Sequence, residues 1–268
     1  MVNPKSEQDP VKAIARCLAA EDSAGAVRNL REAARLGRLA PADQEDVLYR
    51  IAMTTDDRRV RDAAIDIYEA AVREGRDSGW LWERLGNLYL ASGDDDAAIR
   101  AYRRVLESES LDGETRWPAR CILADLLTGK GHAKKALDIL RPAVAALAPS
   151  DTNAAPVFAR MGAVHLALAS PQAACRWYEK AMALDPNETA WPKELALGLE
   201  KLKRYDLALK YWAAVLAIPS LRMSDTVMDD TRPIFKVQEY MKDTAIAKAH
   251  KRSCEIALGG NPIDKRGR

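Results

Sequence analysis

The sequence predicts an all-α protein whose tandem helix–turn–helix units stack into a solenoid, and three observations support this fold class. Small and apolar residues recur at fixed places in successive blocks of the chain, as a repeat protein requires. Turn-forming segments, such as Ser92-Gly93-Asp94 and Thr128-Gly129-Lys130-Gly131, end one helix and begin the next. No segment resembles a strand.

The repeat is clearest near residue 82, where its spacing can be read directly. The template consists of Trp82, Leu85, Gly86, Tyr89, Ala98, Tyr102 and Val105. The same spacing fits Leu48, Ile51, Ala52, Thr55, Ala64, Tyr68 and Ala71, and again Phe158, Met161, Gly162, His165, Ala174, Tyr178, Ala181 and Pro186. An ordinary amphipathic bundle has a period near 3.6 residues, and nothing would keep it in phase over about 34 residues.

This phase divides the chain into blocks. The five clear blocks are residues 45–78, 79–112, 117–150, 155–188 and 189–222. Residues 1–44 are predicted to form an N-terminal helical pair, a degenerate repeat that caps the array, because terminal repeats are usually atypical. Residues 223–233 form a polar linker, and 234–268 hold a last helix and a basic tail.

The eighth and twentieth places of every block carry Ala or Gly. The pairs are Ala52 and Ala64, Gly86 and Ala98, Ala124 and Ala136, Gly162 and Ala174, and Ala196 and Ala208. Two helices approach to about 8–10 Å only where the residues in contact are small. We therefore expect the eighth place of the first helix to face the twentieth place on the second.

The template resembles the tetratricopeptide repeat, in which Trp, Leu-Gly, Tyr, Ala, Phe, Ala and Pro follow this spacing. The resemblance implies a right-handed α-solenoid, in which the first helices of successive repeats line a concave groove that holds an extended or helical peptide. Carried onto this sequence, the groove residues are Trp80, Glu83, Asn87, Leu90, Cys121, Asp125, Ala159, Ala163, Leu166, Lys193, Leu197 and Glu200. A family clamp for C-terminal carboxylates requires Lys where Glu83 stands, so that function is disfavoured.

Trp80 and Leu90 are the strongest candidates in this set. The helix 79–91 is apolar almost all round, and its packing within and between repeats uses other residues, so these two are left over. An apolar remainder on a surface often marks a partner site, and Trp is enriched at binding hot spots. In the alternative interpretation, Trp80 packs on the preceding repeat and Leu90 on the following one.

The sequence predicts a non-enzymatic scaffold or adaptor that binds a segment of another protein in the groove. The alternative is a structural subunit that self-associates through its C-terminal helix or the ends of the array. His132, His165 and His250 are far apart, without a carboxylate or thiol partner at helical spacing, so no catalytic residue is assigned. No metal site and no cofactor are predicted.

Composition limits the partners. The chain has 41 basic and 39 acidic residues, a balance that favours neither nucleic acid nor an anionic surface. No stretch reaches the roughly 18 apolar residues of a membrane span, and the N-terminus has no apolar signal core. The four cysteines are scattered, without the close pairs of a metal or redox site. We therefore predict a cytoplasmic protein without membrane contact.

The last helix is predicted from about residue 234 to residue 258, before Gly259-Gly260. Its apolar stripe is expected to contain Val237, Tyr240, Met241, Ala245, Ala249 and Cys254. The favoured interpretation is a helix that caps the open end of the array, since the last repeat would otherwise expose its apolar face. In the alternative, the helix folds back or is exchanged with a partner.

Overall fold

A computed structural model describes residues 10–20, 22–36, 41–108, 116–148, 151–217 and 234–259. Within these ranges the chain forms thirteen α-helices and no strand. The helices are α1 (Pro10–Ala19), α2 (Ser23–Arg35), α3 (Pro41–Thr54), α4 (Arg58–Arg73), α5 (Gly79–Ser92), α6 (Asp95–Glu107), α7 (Trp117–Gly129), α8 (Ala133–Ala146), α9 (Ala154–Ala167), α10 (Pro171–Leu184), α11 (Ala190–Lys201), α12 (Tyr205–Ala217) and α13 (Ile234–Ala257).

Each predicted block contains one helix pair, from α3 and α4 in the first block to α11 and α12 in the fifth. The predicted fold class, an all-α solenoid of helical repeats, is therefore confirmed. The first helix of block 45–78 begins earlier than expected, at Pro41, because proline is well suited to the first turn of a helix. Residues 218–233, which contain the predicted linker, lie outside the described residues.

The helices belong to two compact units. Unit 1 is Met1–Ala119 and unit 2 is Arg120–Arg268, so the boundary falls inside α7. In unit 1, consecutive helices from α1 to α6 pack on one another, and α3 also contacts α5. In unit 2, α8 to α12 continue the same pattern, α9 contacts α11, and α13 packs on α12. The contacts of α3 with α5 and of α9 with α11 place the first helices of successive repeats side by side.

In four of the five repeats, the turn between the two helices has one residue in the left-handed region of backbone space. Gly93 has φ of 77°, and Asp94 then caps α6 by accepting a hydrogen bond from the Ala97 amide at 2.9 Å. Gly131 adopts the same conformation, but His132 makes no capping side-chain bond, so the predicted polar cap is present only in the first case. In the next two repeats, Ala169 and Lys203 occupy this strained place with φ of 53° and 56°.

All ten small residues of the predicted pairs are buried. At the two glycines the closest neighbours differ from the expectation, because the second helix presents a tyrosine ring one turn after the paired Ala. A Cβ on Gly86 would lie 2.8 Å from the Tyr102 ring, and one on Gly162 would lie 2.4 Å from the Tyr178 ring. The glycines thus make room for tyrosines, whereas we expected Ala98 and Ala174 to be the nearest partners.

Helix α13 packs on α12, so the predicted capping helix is confirmed. The ring of His250 stacks on Trp212 with centroids 4.9 Å apart, and Ala247 and Cys254 are fully buried. The predicted stripe is wrong at Ala245 and Ala249, which are exposed, because the buried face instead follows 247, 250 and 254. The side chains of Val237, Tyr240 and Met241 lie outside the described residues.

Candidate functional site

Arg84 is the central polar side chain on the first-helix surface of unit 1. Its guanidinium carbon lies 4.2 Å from the ring centre of Tyr49 and 4.3 Å from that of Trp80. Arg84 also donates to a carboxylate oxygen of Asp46 and, at 3.4 Å, to the hydroxyl of Tyr68. These contacts hold the guanidinium in one place, and only 17% of the Arg84 side chain is exposed.

The position of Trp80 agrees in part with each interpretation of the sequence, packing on the preceding repeat and exposure as a partner site. Its ring centre lies 6.2 Å from that of Tyr68, so it packs on the preceding repeat as the alternative expected. Even so, 41% of Trp80 is exposed, and it remains a large apolar surface next to Arg84. Leu90 is half-buried.

Asn87 joins three helices of unit 1. Its side-chain amide donates to the Tyr49 hydroxyl at 3.0 Å, and its carbonyl oxygen accepts from the Tyr102 hydroxyl at 2.6 Å. Both ends of the Asn87 side chain are therefore used inside the protein. Glu83 is half-buried nearby; burial raises the pKa of Tyr102, and the Glu83 charge acts in the same direction.

An open cavity of about 550 Å³ lies in unit 2, lined by the first helices α7, α9 and α11 and by Tyr178 of α10. Its floor is apolar and consists of Ala163, Leu166, Leu197 and Gly198. Gly198 shapes this floor, since a Cβ there would lie 2.3 Å from the Leu166 side chain. This surface is referred to below as the α9–α11 cavity.

The polar end of the α9–α11 cavity is built around Arg160. Its Nε donates to Asp125 at 2.7 Å, and its Nη1 lies 3.8 Å from a carboxylate oxygen of Glu194. Glu194 also accepts a hydrogen bond from the Tyr178 hydroxyl at 3.2 Å. Burial raises the pKa of both carboxyl groups, Asp125 and Glu194, although Arg160 acts against it.

The predicted groove residues of unit 2 divide into two groups. Asp125, Ala163, Leu166 and Leu197 line the cavity together. Cys121 is only 7% exposed, and Lys193, which is half-buried, does not line the cavity. Of the two further places, Ala159 is fully buried, and Glu200 contacts α12 and α13.

The sequence interpretation missed Arg160, Glu194 and Tyr178. The signal for Arg160 was present, because it is the one Lys, Arg, Asp or Glu in the helix Ala154–Ala167. A charge kept in such an apolar helix often serves a specific partner. Tyr178 has a packing place in the template, so nothing in the sequence indicated that its hydroxyl reaches α11.

A second polar cluster joins α13 to the last repeat. Glu200 accepts hydrogen bonds from the Trp212 indole and, at 3.2 Å, from the Cys254 thiol, and it lies 3.0 Å from Nδ1 of His250. His250 therefore has a carboxylate partner 50 positions away, outside the helical spacing that the sequence interpretation considered, because α13 packs against α11 and α12. Burial and Glu200 raise the pKa of Cys254 to about 12, which keeps the thiol protonated and a poor nucleophile.

The described residues contain no group of three or more His, Cys, Asp or Glu side chains that could hold a metal ion. Burial raises the pKa of the Cys121 thiol to about 12 as well, so this side chain also remains protonated. Among the helices in the described ranges, none has the length and apolar character needed to span a membrane.

Comparison with known proteins agrees with the repeat pattern and the helix pairs. Residues 81–116 match the family described as Tetratricopeptide repeat. A tetratricopeptide repeat protein from Parabacteroides merdae is 11% identical, with 98% of this chain and 94% of that chain covered and a TM-score of 0.61.

Two further solved structures are similar in fold. The C-terminal part of a TPR repeat-containing protein from Cytophaga hutchinsonii is 15% identical, with 95% and 96% of the two chains covered and a TM-score of 0.54. MamA from Desulfovibrio magneticus is 19% identical, with 67% of this chain and 97% of that chain covered and a TM-score of 0.52. At these identities the likeness supports the fold alone.

Proposed function

We propose that this chain, in which residues 81–116 match the tetratricopeptide repeat, is a non-enzymatic adaptor that binds a segment of another protein. The segment occupies the α9–α11 cavity, and the adaptor works in the cytoplasm without nucleic acid or membrane. The observation that carries the proposal is an open cavity of about 550 Å³ on three consecutive first helices.

The composition of the cavity supports a peptide ligand. Its floor is formed by Leu166, Leu197 and small residues, and its polar end holds Arg160 between two carboxylates. Binding sites typically combine apolar area with a few polar groups that fix orientation. An extended segment can place an apolar side chain on the floor while its neighbours contact the charged end.

Trp80 is proposed as a second contact, with Leu90 and Glu83 beside it. Its exposed ring offers apolar surface to a partner, and the guanidinium of Arg84, which lies over the ring, keeps it in a fixed position. Asn87 contributes to this surface by positioning Tyr49 and Tyr102, since both ends of its side chain are used within unit 1.

A peptide selection tests the adaptor function. A display library of random twelve-residue peptides is selected against the full chain, and the enriched peptides are measured by fluorescence anisotropy. Leu197→Asp should weaken their binding at least about tenfold, because the carboxylate would stand on the apolar floor.

The matched control is Ile67→Asp, which places the same charge at an exposed apolar residue on α4, and it should leave affinity unchanged. Failure to enrich any peptide would argue against the adaptor function. Equal affinities for wild type and Leu197→Asp would exclude the α9–α11 cavity as the binding surface.

Self-association through α13 is a second candidate, favoured by two exposed apolar residues near its end. Ile256 is 49% exposed and Leu258 is 54% exposed. Light scattering of the full chain tests this candidate, with Ile256→Lys as the variant. A dimer that dissociates in Ile256→Lys would support it, and a wild-type monomer at all concentrations would exclude it.

A further inference from the structure

The charges at the polar end of the α9–α11 cavity are unbalanced. Two carboxylates, Asp125 and Glu194, share one guanidinium, that of Arg160. Only Asp125 is hydrogen-bonded to Arg160, at 2.7 Å, while the contact to Glu194 is 3.8 Å. Tyr178, the other donor to Glu194, is neutral. With both carboxylates ionised, the group formed by Asp125, Glu194 and Arg160 therefore carries a net charge of about −1.

Both carboxylates can still be reached from solvent. Asp125 keeps 47% of its side-chain surface exposed, and Glu194 keeps 42%. Burial nevertheless raises the pKa of each above its ordinary value, although Arg160 favours the charged forms. An additional cation placed beside them would stabilise the ionised state that burial disfavours.

Lys201 does not supply this cation, although it lines the same cavity. It follows Glu194 by seven positions on α11, and at 1.5 Å per residue this separates their backbones by about 10 Å along the helix axis. Lys201 therefore lies at the end of the α9–α11 cavity opposite Glu194. Because an extended chain advances about 3.3 Å per residue, roughly three residues of a bound segment would span that distance.

The floor between the two ends suits the stem of a basic side chain. Ala163, Leu197 and Gly198 provide apolar surface beside Arg160 and Glu194. Lys and Arg side chains bury their methylene stems on apolar surface while the charged group reaches a polar partner. A cavity with two carboxylates at one end of such a floor therefore complements a basic residue better than an acidic one.

We propose that the α9–α11 cavity recognises an extended partner segment through one Lys or Arg, whose charged group contacts the solvent-exposed sides of Asp125 and Glu194. An aliphatic side chain two or three residues away lies on Leu166 and Leu197. This inference rests on the proposed function and adds the chemistry of the partner.

The test uses peptides enriched against the full chain from the random library. The proposal predicts that Lys or Arg is enriched at one position, with an aliphatic residue two or three positions away. For the best peptide, replacing the basic residue by norleucine keeps the stem and removes the charge. Affinity should then fall about tenfold, and the loss should shrink at high salt.

Variants of the protein test which carboxylates recognise the basic residue of the peptide. Asp125→Asn and Glu194→Gln keep an acceptor oxygen, and each should reduce the preference for the basic peptide over its norleucine form. Asp138→Asn removes an exposed carboxylate on α8 that pairs with Arg141, and it should leave the preference unchanged. Because the peptide substitution leaves the protein intact, the test does not depend on the stability of the variants.

The outcomes separate this inference from the adaptor function. Peptides that bind the cavity but tolerate norleucine, or that carry an acidic residue instead, would overturn the basic-residue proposal and leave the adaptor function standing. A selection that enriches no peptide would overturn both. Loss of the lysine preference in Asp125→Asn and Glu194→Gln, but not in Asp138→Asn, would support the assignment.

Discussion

Arg84 and Arg160 occupy the same place in their repeats, the sixth, yet their surroundings differ. In unit 1, Arg84 lies between the rings of Tyr49 and Trp80 and is 17% exposed. In unit 2, Arg160 is 29% exposed and borders an open cavity of about 550 Å³. The repeat thus determines which way the side chain points, and its neighbours determine whether a ligand can reach it.

The residues at equivalent places explain the difference. Where unit 1 has Tyr49 and Trp80, unit 2 has Cys121 and Pro156, so no aromatic rings enclose Arg160. Where unit 1 has Asn87, which bridges Tyr49 and Tyr102, unit 2 has Ala163 on the cavity floor. Large side chains fill the surface of one unit, and small ones leave the other open.

The largest effects are expected where the two units are alike. Gly86→Leu and Gly162→Leu should each lower the free energy of unfolding by about 2–3 kcal/mol, because a side chain at either place would collide with a tyrosine ring. Urea denaturation measures both. Gly129→Ala is the control, since a Cβ there meets nothing within 4 Å. A tolerated leucine at either site would refute the shared packing.

Exchanging the residues at the ninth place of two repeats, Asn87 in unit 1 and Ala163 in unit 2, should affect protein stability in one unit and peptide affinity in the other. Asn87→Ala removes two hydrogen bonds in unit 1 and should cost about 1–2 kcal/mol in unfolding free energy. Ala163→Asn, the reverse change in unit 2, should narrow the cavity and weaken peptide binding, with a stability change within about 0.5 kcal/mol. Calorimetry and anisotropy on both variants check this. The comparison fails if Asn87→Ala is neutral and Ala163→Asn leaves affinity intact.

The left-handed turn residues provide a smaller contrast. Glycine holds this place in unit 1, at Gly93, and in the first repeat of unit 2, at Gly131, whereas Ala169 and Lys203 adopt the strained conformation in the next two repeats. Ala169→Gly and Lys203→Gly should each stabilise the protein by about 0.5–1 kcal/mol, and Gly93→Ala should destabilise it by a similar amount. Thermal denaturation of the three variants tests this, and a loss of stability in both glycine variants would contradict the strain.

The smallest effect concerns the pH dependence of Glu194→Gln. Because burial raises the pKa of Glu194 in the folded protein, folding favours the protonated form. As pH rises from below 4.5 through that raised pKa, wild type should lose stability relative to Glu194→Gln by about 0.5 kcal/mol or less. Above that range the difference should stay constant. Urea titrations at several pH values check it; a wild type that gains stability over this range would reverse the sign.

The sequence predicted the repeat places well, because packing inside a repeat depends on local periodicity. The small residues and the helix Gly79–Ser92 are close to their expected positions, and the last helix ends at Ala257, one residue before the predicted Leu258. These features need only the helix period and the size of a side chain.

The candidate site was harder to predict, because it depends on contacts between repeats. The pairing of Arg160 with Asp125 spans 35 positions, and that of His250 with Glu200 spans 50. A single sequence contains no signal for the first pair beyond one charge in an apolar helix. The second pair depends on the packing of α13 against α11, which no local pattern encodes.

The central claim is that a partner segment binds the α9–α11 cavity, and leucine methyl NMR of the full chain tests it most directly. On titration with the best selected peptide, we predict that the methyl signals of Leu166 and Leu197 shift together and saturate at the Kd measured by anisotropy. Shifts confined to Leu90, with those of Leu166 and Leu197 unchanged, would contradict the claim and place binding on the Trp80 surface.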